Sequence, residues 1–268
     1  MTYILGARCV DGVVLVGDTK ITIDQGADFA YAKKIISPLS TIAMGSSGMG
    51  GIFKDFQNRV ETKALRILQD FKTEGKMTIT HPRDFSVLIT KTIREMHDDY
   101  KEDSYLITQY LQVISAIRFP SLKTELNVFS GYGFPEPVNE KRAIGHGEPY
   151  GALFLREMWD NKMTMKQAAK LGIFIIKFIK DMKIDNSVGF NDEFLPQVIC
   201  MPDVKLSPEF KIKYPPTPED VEEFRKICDK YPVEELRDEE VQQLINEINP
   251  KLSDFRIYLK KDIFNFKV

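Results

Sequence analysis

The order in which strand-like and helix-like segments follow one another restricts the fold of this chain more than any other feature. Tyr3 to Val10 is rich in β-formers, Asp11-Gly12 is a tight-turn signal, and Val13 to Val16 is a continuous apolar run. Continuous apolar strands are those covered on both faces. Ala32 to Ile36 and Thr41 to Met44, separated by Ser37-Pro38, read as a second pair, and Gly45 to Gly51 as a glycine- and serine-rich loop. Two helices follow. Ile52 to Phe71 places Phe53, Phe56, Val60, Ala64, Leu68 and Phe71 at helical spacing. Pro82 to Tyr100 repeats the pattern, with its proline at the start, where proline is tolerated. Leu111 to Phe119 and Glu125 to Ser130 read as strands, Gly131 to Pro137 as a turn-rich connection, and Arg142 to Ile144 as a short strand. A second helix pair, about Pro149 to Trp159 and Met165 to Lys183, precedes a last strand, Pro196 to Met201. Helices that come in adjacent pairs exclude a simple doubly wound sheet. They predict a four-layer α/β/β/α sandwich, an α/β (α+β) fold with two facing sheets and a helix pair on each outer face.

From about Pro202 the character changes. Residues 1–201 read as the main domain and 202–268 as a C-terminal extension, opened by a linker with Pro208, Pro215, Pro216 and Pro218. Helices are expected near Glu219 to Asp229 and Glu234 to Ile248, and a strand-like segment at Phe255 to Phe266, where apolar residues alternate with lysines. An extension this small does not fold readily alone and is expected to dock on the main domain or on a neighbouring subunit.

Composition narrows the partners. A net charge of -2 over 268 residues gives no electrostatic reason for nucleic acid or an anionic membrane. No run approaches the roughly 20 apolar residues of a membrane span, and Leu171 to Ile179 fits a buried helix. The first residues lack the layout of a secretory signal. Cys9, Cys200 and Cys228 are too few for a disulfide framework and lack metal-ligand spacing; the first two sit in strand-like runs and read as core. A cytoplasmic location is expected. His81 and His97 read as surface or boundary residues. The glycines around Gly48 lack the full phosphate-loop pattern, so neither a cofactor nor a metal is expected.

Chemistry is concentrated at the start of the chain. Thr2 follows the initiator methionine and is small enough for Met1 to be trimmed, which would leave a hydroxyl and a free α-amine on one residue. An α-amine has an ordinary pKa near 8, so a useful fraction is neutral at physiological pH. It can take the hydroxyl proton while the oxygen attacks a carbonyl.

Thr2 is followed by a strand, the Asp11-Gly12 turn, the Val13 to Val16 strand, Asp18, the Lys33-Lys34 pair, Ser46-Ser47-Gly48 and Gly51. In order and spacing this resembles the proteasome β-subunit family of N-terminal-nucleophile (Ntn) hydrolases. The resemblance implies Thr2 as nucleophile, Lys34 as catalytic lysine oriented by Asp18, and the Gly48 N–H as oxyanion donor. It also implies substrate contacts at Thr22, Ile23, Lys33 and Ser47. It resumes at Ile144 to Tyr150 and at Asp185 to Gly189, matching Asp185 to a family aspartate. His146 stands where the family has a serine beside the threonine amine. Val188 stands at a second such serine, which Ser187 could replace after a one-residue shift, and an insertion, Phe190 to Phe194, follows. The implied function is a threonine peptidase or amidohydrolase acting on a peptide or protein through an ester intermediate, in a homo-oligomer or proteasome-like ring. The long tail looks more like the bacterial homologue Anbu. Methanogen connectases, relatives with threonine directly after methionine, ligate peptides through the same type of ester. A non-catalytic ring subunit is the other alternative.

Overall fold

The computed structural model describes residues 2–23, 28–74, 82–118, 124–204, 217, 219, 222–223, 226 and 230–263. His81, Cys228, the prolines of the linker, most of the expected 219–229 helix, residues 264–266 and the side chains of Leu68 and Phe71 lie outside them.

Two five-stranded antiparallel sheets face each other. One contains β1 (Ile4–Cys9), β2 (Gly12–Gly17), β10 (Lys141–Ile144), β11 (Gln197–Pro202) and β12 (Glu234–Glu235), in the order β10-β1-β2-β11-β12. The other contains β5 (Ile35–Leu39), β6 (Ile42–Ser47), β7 (Gln112–Ile117), β8 (Glu125–Phe129) and β9 (Pro135–Pro137), in chain order. A separate hairpin, β3 (Lys20–Ile23) with β4 (Asp28–Tyr31), projects between the first sheet and β5 in sequence. Helices α1 (Gly50–Glu74), α2 (Pro82–Tyr100) and α3 (Ser104–Tyr110) cover the second sheet. Helices α4 (Glu148–Met158), α5 (Met165–Asp181) and α6 (Asp238–Ile263) cover the first.

The layering follows from the two-residue period of the strands. In β2, Val13 and Leu15 join the cluster between the sheets, while Val14 and Val16 join the cluster under α5 and α6. In β7, Ile114 and Ala116 face the other sheet, and Val113 and Ile117 face α1 and α2. Both faces of each central strand are thus covered, which is what the continuous apolar runs demand. In α1, Phe53, Phe56, Val60 and Ala64 are buried, as their spacing predicts. α5 is capped by Thr164, whose hydroxyl accepts from Gln167 N while the Gln167 side chain accepts from Thr164 N.

Four expectations need correction. Gly45 to Ser47 is strand, not loop: β6 runs through it, and a Cβ on Gly45 would come within 2.9 Å of the Ile4 side chain, so small residues there let the sheets approach. The expected turn-rich connection contains β9, which pairs Pro135 to Pro137 with β8 as an edge strand, the sheet position where proline is tolerated. Glu234–Glu235 is not helical; it pairs with Ile199 and Cys200 on the otherwise open edge of β11, and the helix starts at Asp238. Phe255 to Ile263 continues α6 and is not strand-like. Val241, Leu244, Ile245, Ile248, Leu252, Phe255 and Leu259 keep a helical spacing through Pro250, and that period overrides the local alternation with lysine.

The extension docks on its own chain. Val241, Leu244, Ile245, Ile248 and Leu252 of α6 are buried in the same cluster as Ile173, Ile176 and Phe174 of α5. No described helix is long and apolar enough to cross a membrane.

Candidate functional site

The first two strands bring Thr2 and Asp18 together. β1 and β2 pair so that Ile4 lies opposite Gly17, and the ladder is extended by Asp18 N donating to Tyr3 O at 3.1 Å. Tyr3 N returns a bond to Asp18 Oδ1 at 2.8 Å. Thr2 is the next residue and exposes 1% of its surface.

Lys34, just before β5, reaches across from the other sheet. Its ammonium donates to Asp18 Oδ1 at 2.8 Å and to the carbonyl of Lys20. Gly189 N donates to Asp18 Oδ2 at 3.1 Å, so the carboxylate is satisfied on both oxygens. The side chains of this pair are 1% and 0% exposed. Burial pulls the Lys34 ammonium below the usual lysine range against the attraction of Asp18. Burial likewise pushes the Asp18 carboxyl up, against Lys34 and the two N–H donors. The two shifts narrow the gap in proton affinity between acid and base.

A glycine-flanked loop closes on Thr2 from a third side. Gly147 N donates to Thr2 O at 3.1 Å. Gly145 has φ of 94°, and a Cβ there would lie 2.2 Å from Thr2 O, so only glycine fits the turn and the approach. His146 sits between them. Its Nδ1 is 2.6 Å from Asp185 Oδ2, and Asp185 Oδ1 accepts from Ser187 N at 2.8 Å and from the Ser187 hydroxyl. Burial pushes the Asp185 carboxyl up, but the bonds from His146 and Ser187 outweigh it and hold the group below the ordinary carboxylate range. Val188 does not substitute for a polar group here, because it is buried in the core cluster beneath α5.

An open cleft of about 750 Å³ adjoins this region. Thr22, Ser47, Gly48, Gly145 and His146 line it, together with Gln112, whose Oε1 accepts from Gly145 N at 2.7 Å. Lys33 is not among the described lining residues; its ammonium is 2.9 Å from Glu235. The backbone of Ile23 pairs with Asp28 in the β3–β4 hairpin, and its side chain lies outside the described residues. The insertion braces this hairpin: Phe194 stacks on Tyr31 at 5.8 Å, and Thr19 donates to Phe194 O at 2.7 Å. A more apolar groove of about 620 Å³ lies between α4, α5 and α6, lined by none of these residues.

Gln197 is the member the sequence reading missed. Its Oε1 accepts from Lys34 N at 3.2 Å and Ile35 N at 2.9 Å, and its Nε2 donates to Ile35 O at 2.7 Å and to Glu235 at 3.1 Å. The available signal is one amide inside a strand otherwise apolar on both faces. Buried Cys9 and Cys200 have thiols pushed up to about 12 by burial, as inert core residues. His97 hydrogen-bonds Gly131 O at 2.8 Å and is structural. No group of three or more His, Cys, Asp or Glu able to hold a metal occurs among the described residues.

Comparison with solved structures finds the same fold. Anbu from Hyphomicrobium sp. strain MC1 superposes with a TM-score of 0.65 at 16% identity, covering 99% of this chain and 100% of that one. A Gly-1 mutant of the same Anbu gives 0.66 at 15% identity, covering 97% and 100%. Anbu, an ancestral β-subunit, from Yersinia bercovieri gives 0.60 at 14% identity, covering 75% and 81%. A search of curated proteins gives no match. The family description "Proteasome subunit" matches residues 2–193, and with the two facing sheets between helical layers this establishes that the chain belongs to the proteasome subunit family.

Proposed function

We propose that this protein is a threonine-type peptidase or amidohydrolase whose nucleophile is Thr2 after Met1 is removed. The observation that carries the reading is the fully buried Lys34–Asp18 pair, fixed one residue from Thr2 by the Tyr3–Asp18 bond. A surface ion pair would need no such enclosure, and a buried one is costly unless it has a use or full satisfaction.

In this reading the Thr2 α-amine takes the hydroxyl proton as Oγ attacks the substrate carbonyl carbon. The Lys34 ammonium keeps that amine neutral, and Asp18 holds Lys34 in place. Gly48, on the wall of the same cleft, offers its N–H to the oxyanion; a donor of this kind contributes roughly 3–4 kcal/mol. The leaving amine departs with the proton, and the acyl group stays on Thr2 as an ester. Thr22 and Ser47 contact the peptide. The ester then passes to water or, as in a ligase, to a peptide amine. A homo-oligomeric or ring assembly in the cytoplasm completes the reading.

The second reading is a non-catalytic subunit, favoured by the 1% exposure of Thr2. Intact mass measured before and after incubation with a threonine-directed β-lactone separates the two. Loss of Met1 and a single adduct on Thr2, abolished in Lys34→Ala, is the expected result. A chain with Thr2 exposed that takes no adduct would reject the peptidase reading. Adding an amine-bearing peptide to the acylated protein tells hydrolysis from ligation.

A further inference from the structure

The side chain at position 146 originates between two backbone groups that both touch the carbonyl of Thr2: Gly147 N donates to it at 3.1 Å, and the Gly145 Cα is pressed against it. The imidazole is not packed away; 58% of it is exposed, on the wall of the cleft that Gly48 and Ser47 also line. Asp185, by contrast, exposes 7% of its side chain and is pinned by the Ser187 amide and hydroxyl. An ionised carboxylate only accepts, so in the neutral imidazole the proton sits on Nδ1 and points at Asp185 Oδ2. That leaves the lone pair on Nε2, which has no hydrogen-bond partner among the described residues.

The cleft is open to water. Asp18 and Lys34 are not on its wall and are buried, at 0% and 1% side-chain exposure, so they cannot meet an incoming water directly. Apart from Tyr110, the other described side chains on the wall are hydroxyls, amides and a thioether. Imidazole is the side chain most often used as a general base.

Resting on the reading of Thr2 as nucleophile, we propose that His146, aligned by Asp185, is the base of the second half-reaction. Nε2 takes a proton from water as the water oxygen bonds to the ester carbonyl carbon. The tetrahedral centre then collapses, the bond from carbon to Thr2 Oγ breaks, and the imidazolium returns the proton to Oγ. Acid product and free Thr2 result, with no change of oxidation state. His146 is the catalytic residue of this step and Asp185 a positioning residue.

The test separates the two half-reactions. Protein with Met1 removed is acylated with p-nitrophenyl acetate, freed of excess reagent, and followed by intact mass. The wild-type ester is expected to disappear, while His146→Ala acylates at a rate within about threefold of wild type and keeps its ester roughly 100-fold longer, the low end of what a positioned base contributes. Asp185→Asn lengthens the lifetime less. Added imidazole shortens the ester lifetime in His146→Ala and leaves the wild type unchanged, which a purely structural role of His146 would not produce. Acylation in the same sample reports that the variant has folded. Equal ester lifetimes in wild type and His146→Ala, or no response to imidazole, would overturn the proposal while leaving Thr2 as nucleophile. Absence of any adduct on Thr2 in both the wild type and His146→Ala would overturn both readings.

Discussion

Lys34 and Asp18 share a site that water does not reach, so neither charge has solvent to fall back on. Removing one partner of such a pair leaves the other buried and unpaired, which costs about 3–5 kcal/mol. Lys34→Ala is therefore expected to lower the unfolding free energy in urea by about that amount, in addition to abolishing acylation. Asp18→Asn combined with Lys34→Met, which removes both charges, should regain much of the stability and none of the activity. If the single variant loses less than about 1 kcal/mol, the range of exposed pairs, the site is wetter than the geometry implies. Asp18 and Lys34 are legible in the sequence because their distance along the chain from Thr2 matches a known pattern. Asp185 and His146 are placed separately by that pattern, but their pairing is not legible. Asp185 lies 39 residues further on, and no local spacing rule connects a turn before α4 to a turn after α5; only the packing of those helices on β1 and β2 brings them together.

At the level of elements, β11 ties the sheet beside Thr2 to the start of the other. Gln197, on its first position, satisfies Lys34 N, Ile35 N and Ile35 O with a single amide. Gln197→Ala would strand these backbone groups where they cannot find water, at about 1–3 kcal/mol for leaving buried partners unsatisfied. Acylation of Thr2 should slow as well, since Lys34 loses the partner of its backbone N–H while Ser46 N and Gln57 still hold its carbonyl. Lys33→Ala is the contrast: its ion pair with Glu235 is largely exposed, so thermal unfolding should move by less than about 1 kcal/mol. Equal effects from the two variants would mean that the anchor is not Gln197. The long amphipathic helices and the doubly buried strands were readable because period and turn chemistry agree there. The β3–β4 hairpin, β9 and β12 were not, because strands of two to four residues carry too few positions to show alternation. The pairing of β9 and β12 is decided by which sheet edge stands open beside them, while β3 and β4 pair with each other.

For the whole molecule, the open question at the sequence level was what the C-terminal extension covers. In the structure α6 lies on α5, and its buried face continues the cluster that also holds Val14, Val16 and Tyr3 of the strands beside Thr2. The extension is thus part of the roof over the site's own sheet, and its β12 pairs with β11 at that sheet's edge. Ile245, 4% exposed, is a place to test this. Ile245→Asp buries an unpaired carboxylate, which costs several kcal/mol, and in a protein of this size each kcal/mol shifts the melting temperature by roughly 2–4 °C. A fall of about 6–12 °C is expected, and it should be the same in dilute and concentrated protein, because the contact is within one chain. Gln242→Asp, one turn away on the exposed face, should leave the transition in place. Were α6 held mainly by a neighbouring subunit, the dilute protein would melt alike with either variant, and only the assembly would be lost.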